Sequence, residues 1–166
     1  MKKIGFLGLG VMGLPMALNV LKKSGYPVLG FDVAQARLDQ FAAAGGETTS
    51  DPVDIYKTCD VIMQMLPTHP IIINSIKQAV QYGKPGNIIL DLDSTAPDII
   101  QELYPEVEAA GMHLLDSPVS GGNPMAIAGT LAIMTGGDKA VFEEVKPLLE
   151  CMGHPVYTGG SASGSI

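Results

Sequence analysis

The chain alternates short runs of apolar, often β-branched residues with longer amphipathic segments. This alternation is typical of parallel strands joined by crossover helices. The apolar runs predict strands at residues 3–7, 27–31, 60–66, 87–93, 112–116, 130–137 and 154–159. The amphipathic segments predict helices at residues 11–24, 34–44, 51–59, 71–82, 96–110 and 138–150. The pattern therefore predicts an α/β domain over residues 1–160, while the small, polar tail "GGSASGSI" is expected to have nothing to pack against.

The opening segment has two incompatible interpretations. Two lysines precede an apolar run from Ile4 to Leu21 in which only Asn19 is polar, which is the outline of a secretory signal or a membrane span. Four glycines and Pro15 interrupt that run, however, and it ends in Lys-Lys, without a small-residue cleavage site. Each glycine inside a helix costs about 0.8–1.0 kcal/mol relative to alanine, so the interpretation as a continuous apolar helix is rejected.

The same segment contains Gly8-Leu9-Gly10-Val11-Met12-Gly13, the spacing of a dinucleotide-binding turn. In such a turn the first glycine forms the bend, the second lets the pyrophosphate approach the backbone, and the third allows close packing of helix on strand. The motif alone is weak, but here a predicted strand precedes it and an amphipathic helix follows it. This context favours a Rossmann-type, doubly wound, mainly parallel sheet in a single domain.

Asp32 directly follows the second predicted strand, at the distance from the glycines where a carboxylate binds the adenosine ribose. A carboxylate there favours NAD over NADP, because it would repel a 2′-phosphate. Asp32 is also suited to cap the next helix, and both functions are compatible. Arg37 is the nearby candidate partner for a 2′-phosphate, but we interpret it as a solvated residue of the helix surface.

The composition excludes several classes of partner. The formal charge is −7 and the isoelectric point is about 4.7, which argues against nucleic acid or an anionic membrane surface. Cys59 and Cys151 are far apart and are expected to be buried, reduced thiols of a cytoplasmic protein. The three histidines share no ligand spacing, and Asp91 and Asp93 are expected to point to opposite faces, so no metal site is predicted.

A second glycine motif, "DSPVSGG", follows the strand predicted at residues 112–116. Its backbone amides and the Ser120 hydroxyl have the chemistry to bind a carboxylate, although a structural turn would explain the spacing equally well. Together, this motif and "GFLGLGVMGLPMALNVLKKSGYPVLGFD" resemble the signatures of the β-hydroxyacid dehydrogenase family, which includes 3-hydroxyisobutyrate dehydrogenase, tartronate semialdehyde reductase and 6-phosphogluconate dehydrogenase. The resemblance covers nearly the whole chain.

The resemblance implies a role for each matching position. Gly8, Leu9, Gly10, Val11, Met12 and Gly13 would hold the pyrophosphate of NAD, and Asp32 its ribose. Leu66 and Pro67 match the Leu-Pro pair that lines the cofactor, and Ser94 matches the position beside the nicotinamide half. Ser120, Gly121 and Gly122 would bind the carboxylate of a small hydroxy acid. The chain departs from the family at Asp93, where relatives commonly have a small hydroxyl residue, and at Ile71, where some have asparagine.

The family's catalytic lysine has no counterpart in this chain. By the resemblance it would lie about two residues past Ile166, so residues 161–166 are expected to begin a linker to a helical C-terminal domain that completes the pocket and builds a homo-oligomer. The implied function is the cofactor domain of a dehydrogenase that transfers hydride between NAD and a 3-hydroxy acid, inactive by itself. The alternatives are a free-standing dinucleotide sensor without chemistry of its own and, more distantly, a methyltransferase.

Overall fold

A computed structural model describes residues 2–165 and contains a single mixed sheet. Its strands are β1 (Ile4–Leu7), β2 (Val28–Phe31), β3 (Glu47–Thr49), β4 (Val61–Gln64), β5 (Ile88–Asp91), β6 (His113–Asp116), β7 (Val119–Ser120), β8 (Leu131–Gly136) and β9 (Gly153–Gly159). Its helices are α1 (Gly13–Ser24), α2 (Gln35–Ala43), α3 (Val53–Thr58), α4 (His69–Tyr82), α5 (Pro97–Ala109), α6 (Asn123–Ala128) and α7 (Lys139–Glu150).

Six strands form a parallel sheet in the order β3-β2-β1-β4-β5-β6. Strand β8 continues the sheet antiparallel to β6 and β7, and β9 pairs with β8 in parallel. The order reverses between β1 and β4, which is the switch point of a doubly wound fold. The predicted fold class is therefore confirmed.

Helices cover both faces of the parallel sheet. On one face, Phe6 and Met63 are in a core with α1, α2, α6 and α7; on the other, Ile62 and Ile89 are in a core with α3, α4 and α5. All four side chains are fully buried, and burying a side chain of this size contributes about 1.5–3 kcal/mol. Since both faces are buried, the strands are continuous apolar runs in the sequence.

The opening apolar run forms β1 and α1, with Gly8 and Gly10 in the turn between them. Gly25 ends α1 in the left-handed conformation, with φ of 76°, and Asp138 caps α7 by accepting a hydrogen bond from the Val141 amide. Within residues 2–165, no helix has the length and hydropathy needed to cross a membrane.

The structure contains three short elements that the sequence pattern did not predict: β3, β7 and α6. The larger difference concerns the tail, because the expectation that it has nothing to pack against is wrong for the part of it that the structure describes. Ala162 is fully buried, and its amide donates to Asp116 Oδ1 at 2.9 Å. The Ser165 amide donates to Asp116 Oδ2 at 3.0 Å. Ile166 lies outside the described residues.

Candidate functional site

A cleft opens at the carboxyl ends of β1 and β4, where the strand order reverses. Its volume is about 480 Å³. The turn from Gly8 to Gly13 forms one wall, Phe31, Asp32 and Val33 form a second, and Met65, Leu66, Pro67 and Ile71 form the third. In open α/β sheets, ligands bind outside the strand ends at such a switch point.

Two glycines of the turn are required by packing. Gly8 has φ of 95°, and a Cβ on it would collide with the carbonyl oxygen of Met65, which directly follows β4. A Cβ on Gly13 would collide with the Gly8 carbonyl oxygen. The first contact brings the end of β1 against the segment after β4, and the second brings the start of α1 against the end of β1.

Gly10 has no such packing requirement. A Cβ at Gly10 would meet no atom within 4 Å, although Gly10 itself lines the cleft. Among residues 2–165, no acceptor pairs with the amides of Gly10, Val11, Met12 or Gly13. A helix start with free amides and a positive dipole end is suited to bind a phosphate. The turn therefore fits the pyrophosphate of a dinucleotide, which would occupy the space that a side chain at Gly10 would fill.

Asp32 is fixed beside this turn by two backbone hydrogen bonds. Its Oδ2 accepts from the Leu9 amide at 2.7 Å, and its Oδ1 accepts from the Ala34 amide at 2.8 Å. The α2 N-cap is Ala34, which makes no side-chain cap, so Asp32 does not cap that helix itself. Each carboxylate oxygen keeps a free lone pair, and the side chain faces the cleft. Arg37 lines a separate groove with Val11 and Ile127.

Leu66 and Pro67 lie where the cleft meets a second depression, which also contains Asp93 and Ser94. Asp93 Oδ1 accepts a hydrogen bond from the Leu66 amide at 2.8 Å. Ile71 is 46% exposed and lines the cleft. The segment after β4 is thus an apolar wall, and one of its amides is held by a buried carboxyl group.

The expectation that Asp91 and Asp93 point to opposite faces is wrong. Residues two apart share a face of a strand, and the Asp93 amide turns back to donate to Asp91 Oδ1 at 3.3 Å. Burial and the neighbouring Asp91 raise the pKa of Asp93 to about 9. Neither aspartate caps α5, whose N-cap is Ala96. No group of three or more potential metal-ligating side chains is found among the described residues.

Ser94 and Ser120 line one further depression, together with Pro118, Gly164 and Ser165. Ser120 ends β7, Gly121 has φ of 131°, and Gly122 is the N-cap of α6. The structure therefore brings the two predicted serines together, with the buried tail forming part of the wall. Gly121 and Gly122 follow as an exposed connection.

Two asparagines that the sequence analysis did not assign to the site connect the two glycine motifs. Asn123 Nδ2 donates to the Val11 carbonyl at 2.8 Å. Asn19 Nδ2, on α1, donates to the carbonyls of Ala126 and Ile127 at the end of α6. Asn19 was visible as the single polar residue of the opening run, but its partners are more than 100 residues away, so local pattern gave no sign of its contacts.

Comparison with known proteins agrees with this geometry. The family described as the NAD binding domain of 6-phosphogluconate dehydrogenase matches residues 3–160. The NAD-dependent L-serine dehydrogenase of Pseudomonas aeruginosa is 36% identical over 163 residues, 96% of this chain and 54% of that protein. Human mitochondrial 3-hydroxyisobutyrate dehydrogenase is 38% identical over 165 residues, 97% of this chain and 49% of that protein.

A solved structure of Mycobacterium tuberculosis 3-hydroxyisobutyrate dehydrogenase with L-serine superposes with a TM-score of 0.94 at 33% identity. The superposition covers 99% of this chain and 57% of that one. The chain thus spans about half the length of the curated relatives it matches. The glycine turn, the strand order and these matches together show that the chain belongs to the family of NAD-binding domains of 6-phosphogluconate dehydrogenase and related hydroxyacid dehydrogenases.

Proposed function

We propose that this chain is the cofactor-binding part of an enzyme that transfers hydride between NAD and a small 3-hydroxy acid of the 3-hydroxyisobutyrate or tartronate semialdehyde/glycerate type. The observation that carries the proposal is the open space at Gly10, beside four free amides and opposite Asp32. The relatives named above are all dehydrogenases, which gives the alternative of a free-standing sensor no support.

In this proposal the pyrophosphate lies on the amides from Gly10 to Gly13, where the α1 dipole favours negative charge. Leu9 supports the turn by donating its amide to Asp32. Asp32 accepts hydrogen bonds from the adenosine ribose, and Leu66 and Pro67 form the apolar wall that leads to Ser94 at the nicotinamide end. The bound cofactor supplies or accepts the hydride, and the protein orients it.

The preference for NAD over NADP follows from charge. The Asp32 carboxylate lies in the cleft wall, and a 2′-phosphate on the ribose would meet its negative charge at close range. Arg37, the nearby cation, lines a different groove. We therefore expect NAD to bind more tightly than NADP.

The substrate proposal rests on the depression shared by Ser94 and Ser120. Ser120, Gly121 and Gly122 would hold the substrate carboxylate through hydroxyl and amide donors. Within residues 2–165, no lysine lines that depression. The resemblance to hydroxyacid dehydrogenases implies that the general acid/base is a lysine of a further domain, which would also complete the pocket and form a homo-oligomer. Two free, buried cysteines suit a cytoplasmic location.

Without a positioned acid/base group a reaction typically slows by about 10²–10⁴-fold. We therefore expect residues 1–166 to bind NAD without measurable turnover of 3-hydroxy acids.

A calorimetric titration with NAD⁺ and NADP⁺ tests the cofactor assignment. The wild type is expected to bind NAD⁺ more tightly, and Asp32→Asn to lose most of that preference, because the variant keeps the side-chain shape without the charge. Asp39→Asn, an exposed aspartate on α2, is the matched control and should keep the wild-type preference. Equal affinities for both nucleotides in the wild type would contradict the role of Asp32, and binding of neither would contradict the proposed function.

A further inference from the structure

Two buried carboxyl groups, Asp91 and Asp93, lie side by side at the end of β5. Asp91 is fully buried and Asp93 is 4% exposed. No cation of the described residues pairs with either of them. Two like charges in contact away from water are strongly disfavoured, so such a pair retains one proton at neutral pH.

The hydrogen bonds place that proton on Asp93. Asp91 accepts from the Thr95 hydroxyl at 2.6 Å, from Gln64 Nε2 at 3.3 Å and from the Asp93 amide at 3.3 Å. Among residues 2–165, Asp93 accepts only from the Leu66 amide, and its buried Oδ2 has no partner there. Three donors stabilise the ionised form of Asp91, whereas the unpartnered oxygen of Asp93 is suited to carry the proton.

Asp93 is connected to the cofactor cleft by its hydrogen bond to Leu66. The amide of Leu66 donates to Asp93 Oδ1 at 2.8 Å, while the residue itself lines the cleft. Pro67, next to it, has no amide hydrogen to contribute. Asp93 does not itself line the cleft, but its hydrogen bond holds the one amide of the Leu66–Pro67 pair that can donate.

We infer that Asp93 is a positioning residue for the dinucleotide: as a neutral acid it holds the Leu66–Pro67 segment in the cleft wall, and loss of its proton releases that segment and weakens binding. The reason is repulsion. A second negative charge beside Asp91 has no cation to compensate it, and the open side of the pair is the depression that contains Ser94. Movement of Asp93 towards water breaks its bond to Leu66. The inference rests on the proposed binding of NAD in this cleft.

Other titratable groups also surround the pair. Asp116 on β6 is the register neighbour of Asp91, but its carboxylate is occupied by the amides of Ala162 and Ser165. His69 on α4 lines the same depression as Asp93. A pH effect from His69 would come from its imidazole and would persist without Asp93, so the two sources can be separated by substitution.

The test is the affinity for NAD⁺ between about pH 6 and about pH 10, measured by calorimetry on the wild type, Asp93→Asn and His69→Gln. Asparagine mimics the neutral acid, because it keeps the acceptor for Leu66 and presents an N–H to Asp91. The dissociation constant of the wild type is expected to rise about tenfold between pH 7 and pH 10, as for loss of one positioning contact. That of Asp93→Asn should change by less than about twofold. His69→Gln should follow the wild type.

Asp98→Asn, an exposed aspartate on α5, is the matched control and should also follow the wild type. A flat profile in the wild type, an unchanged profile in Asp93→Asn, or a flat profile in His69→Gln would each overturn the inference. If Asp93→Asn does not fold, Asp91→Asn replaces it. Removing the Asp91 charge removes the repulsion that would release ionised Asp93, so the loss of affinity between pH 7 and pH 10 should be much smaller than in the wild type, and an undiminished loss would overturn the inference. Absence of NAD⁺ binding at every pH would contradict the proposed function as well, whereas binding with a flat profile contradicts this inference alone.

Discussion

At the scale of single residues, glycine is required at the three positions of the first motif for different physical reasons. Gly8 and Gly13 are fixed by contacts within the protein, while Gly10 faces empty space. The sequence motif predicts all three without distinguishing them. Only the structure shows which one is free of packing, as the proposed approach of a pyrophosphate to the backbone requires.

This difference predicts opposite results for two alanine substitutions. Gly10→Ala is expected to change the free energy of unfolding by less than about 0.5 kcal/mol, because its Cβ meets no atom, yet to weaken NAD⁺ binding. Gly13→Ala is expected to lower the free energy of unfolding by about 1–3 kcal/mol, because its Cβ overlaps the Gly8 carbonyl. Urea unfolding and calorimetric titration of both variants measure the two effects.

One outcome for Gly10→Ala would contradict the proposed position of the pyrophosphate. If Gly10→Ala binds NAD⁺ as tightly as the wild type, the pyrophosphate does not approach this point of the backbone. Gly160→Ala is the matched control, because an added Cβ there also meets no atom within 4 Å and Gly160 does not line the cleft.

At the scale of elements, the sequence pattern predicted the helices and strands that are long or strongly apolar. Strands β1, β4 and β5 are buried on both faces, so their apolar runs are unmistakable. Strand β3 consists of Glu47, Thr48 and Thr49, which carry no apolar signal, and α6 is a six-residue helix in a glycine-rich segment. Asn19 on α1 hydrogen-bonds the end of α6, a long-range contact that no local pattern contains.

Removal of that contact is expected to loosen α6 specifically. Asn19→Ala leaves the carbonyls of Ala126 and Ile127 without their donor, and an unpaired buried polar group costs about 1–3 kcal/mol. Amide hydrogen exchange should therefore increase in residues 123–130 more than in the parallel strands.

Asn123→Ala is the companion variant for this measurement, because it removes the bond to Val11 at the other end of the helix. Exchange that is unchanged around α6 in Asn19→Ala would show that apolar packing of Ala126 is sufficient to fix the helix.

At the scale of the whole molecule, the alternating pattern predicted the parallel half of the sheet and its helical layers. It did not predict that β8 runs antiparallel to β6, nor that the tail returns to Asp116, because both depend on which distant strand is the neighbour. The interpretation of Asp91 and Asp93 failed for a local reason, since β5 ends at Asp91 and the chain then turns so that the Asp93 amide donates back to the Asp91 carboxylate.

The buried carboxyl pair gives the free energy of unfolding a defined pH dependence. The pKa of Asp93 is raised to about 9 by burial and by Asp91, whereas an aspartate in an unfolded chain titrates near 3.9. Between these values the native state holds a proton that the unfolded chain has lost. The free energy of unfolding is therefore expected to fall as pH rises from about 4 to about 9.

Asp93→Asn removes this proton uptake, so its unfolding free energy should fall less steeply with pH than that of the wild type. Urea unfolding at several pH values, with Asp98→Asn as the control of equal charge change, measures the two slopes. Parallel slopes for wild type and Asp93→Asn would mean that Asp93 is already ionised in the native protein.

The attachment of residues 160–165 to Asp116 also has a mechanical consequence. Strand β6, which ends in Asp116, lies between β5 and β8 and is therefore an inner strand. A force applied beyond Ser165 would pass through the hydrogen bonds of Asp116 into the middle of the sheet before it could peel β9 from the edge. Hydrogen bonds to Asp116 thus connect the carboxyl end of the described chain to an inner strand of the sheet, although its sequence of glycine, serine and alanine is that of a flexible linker.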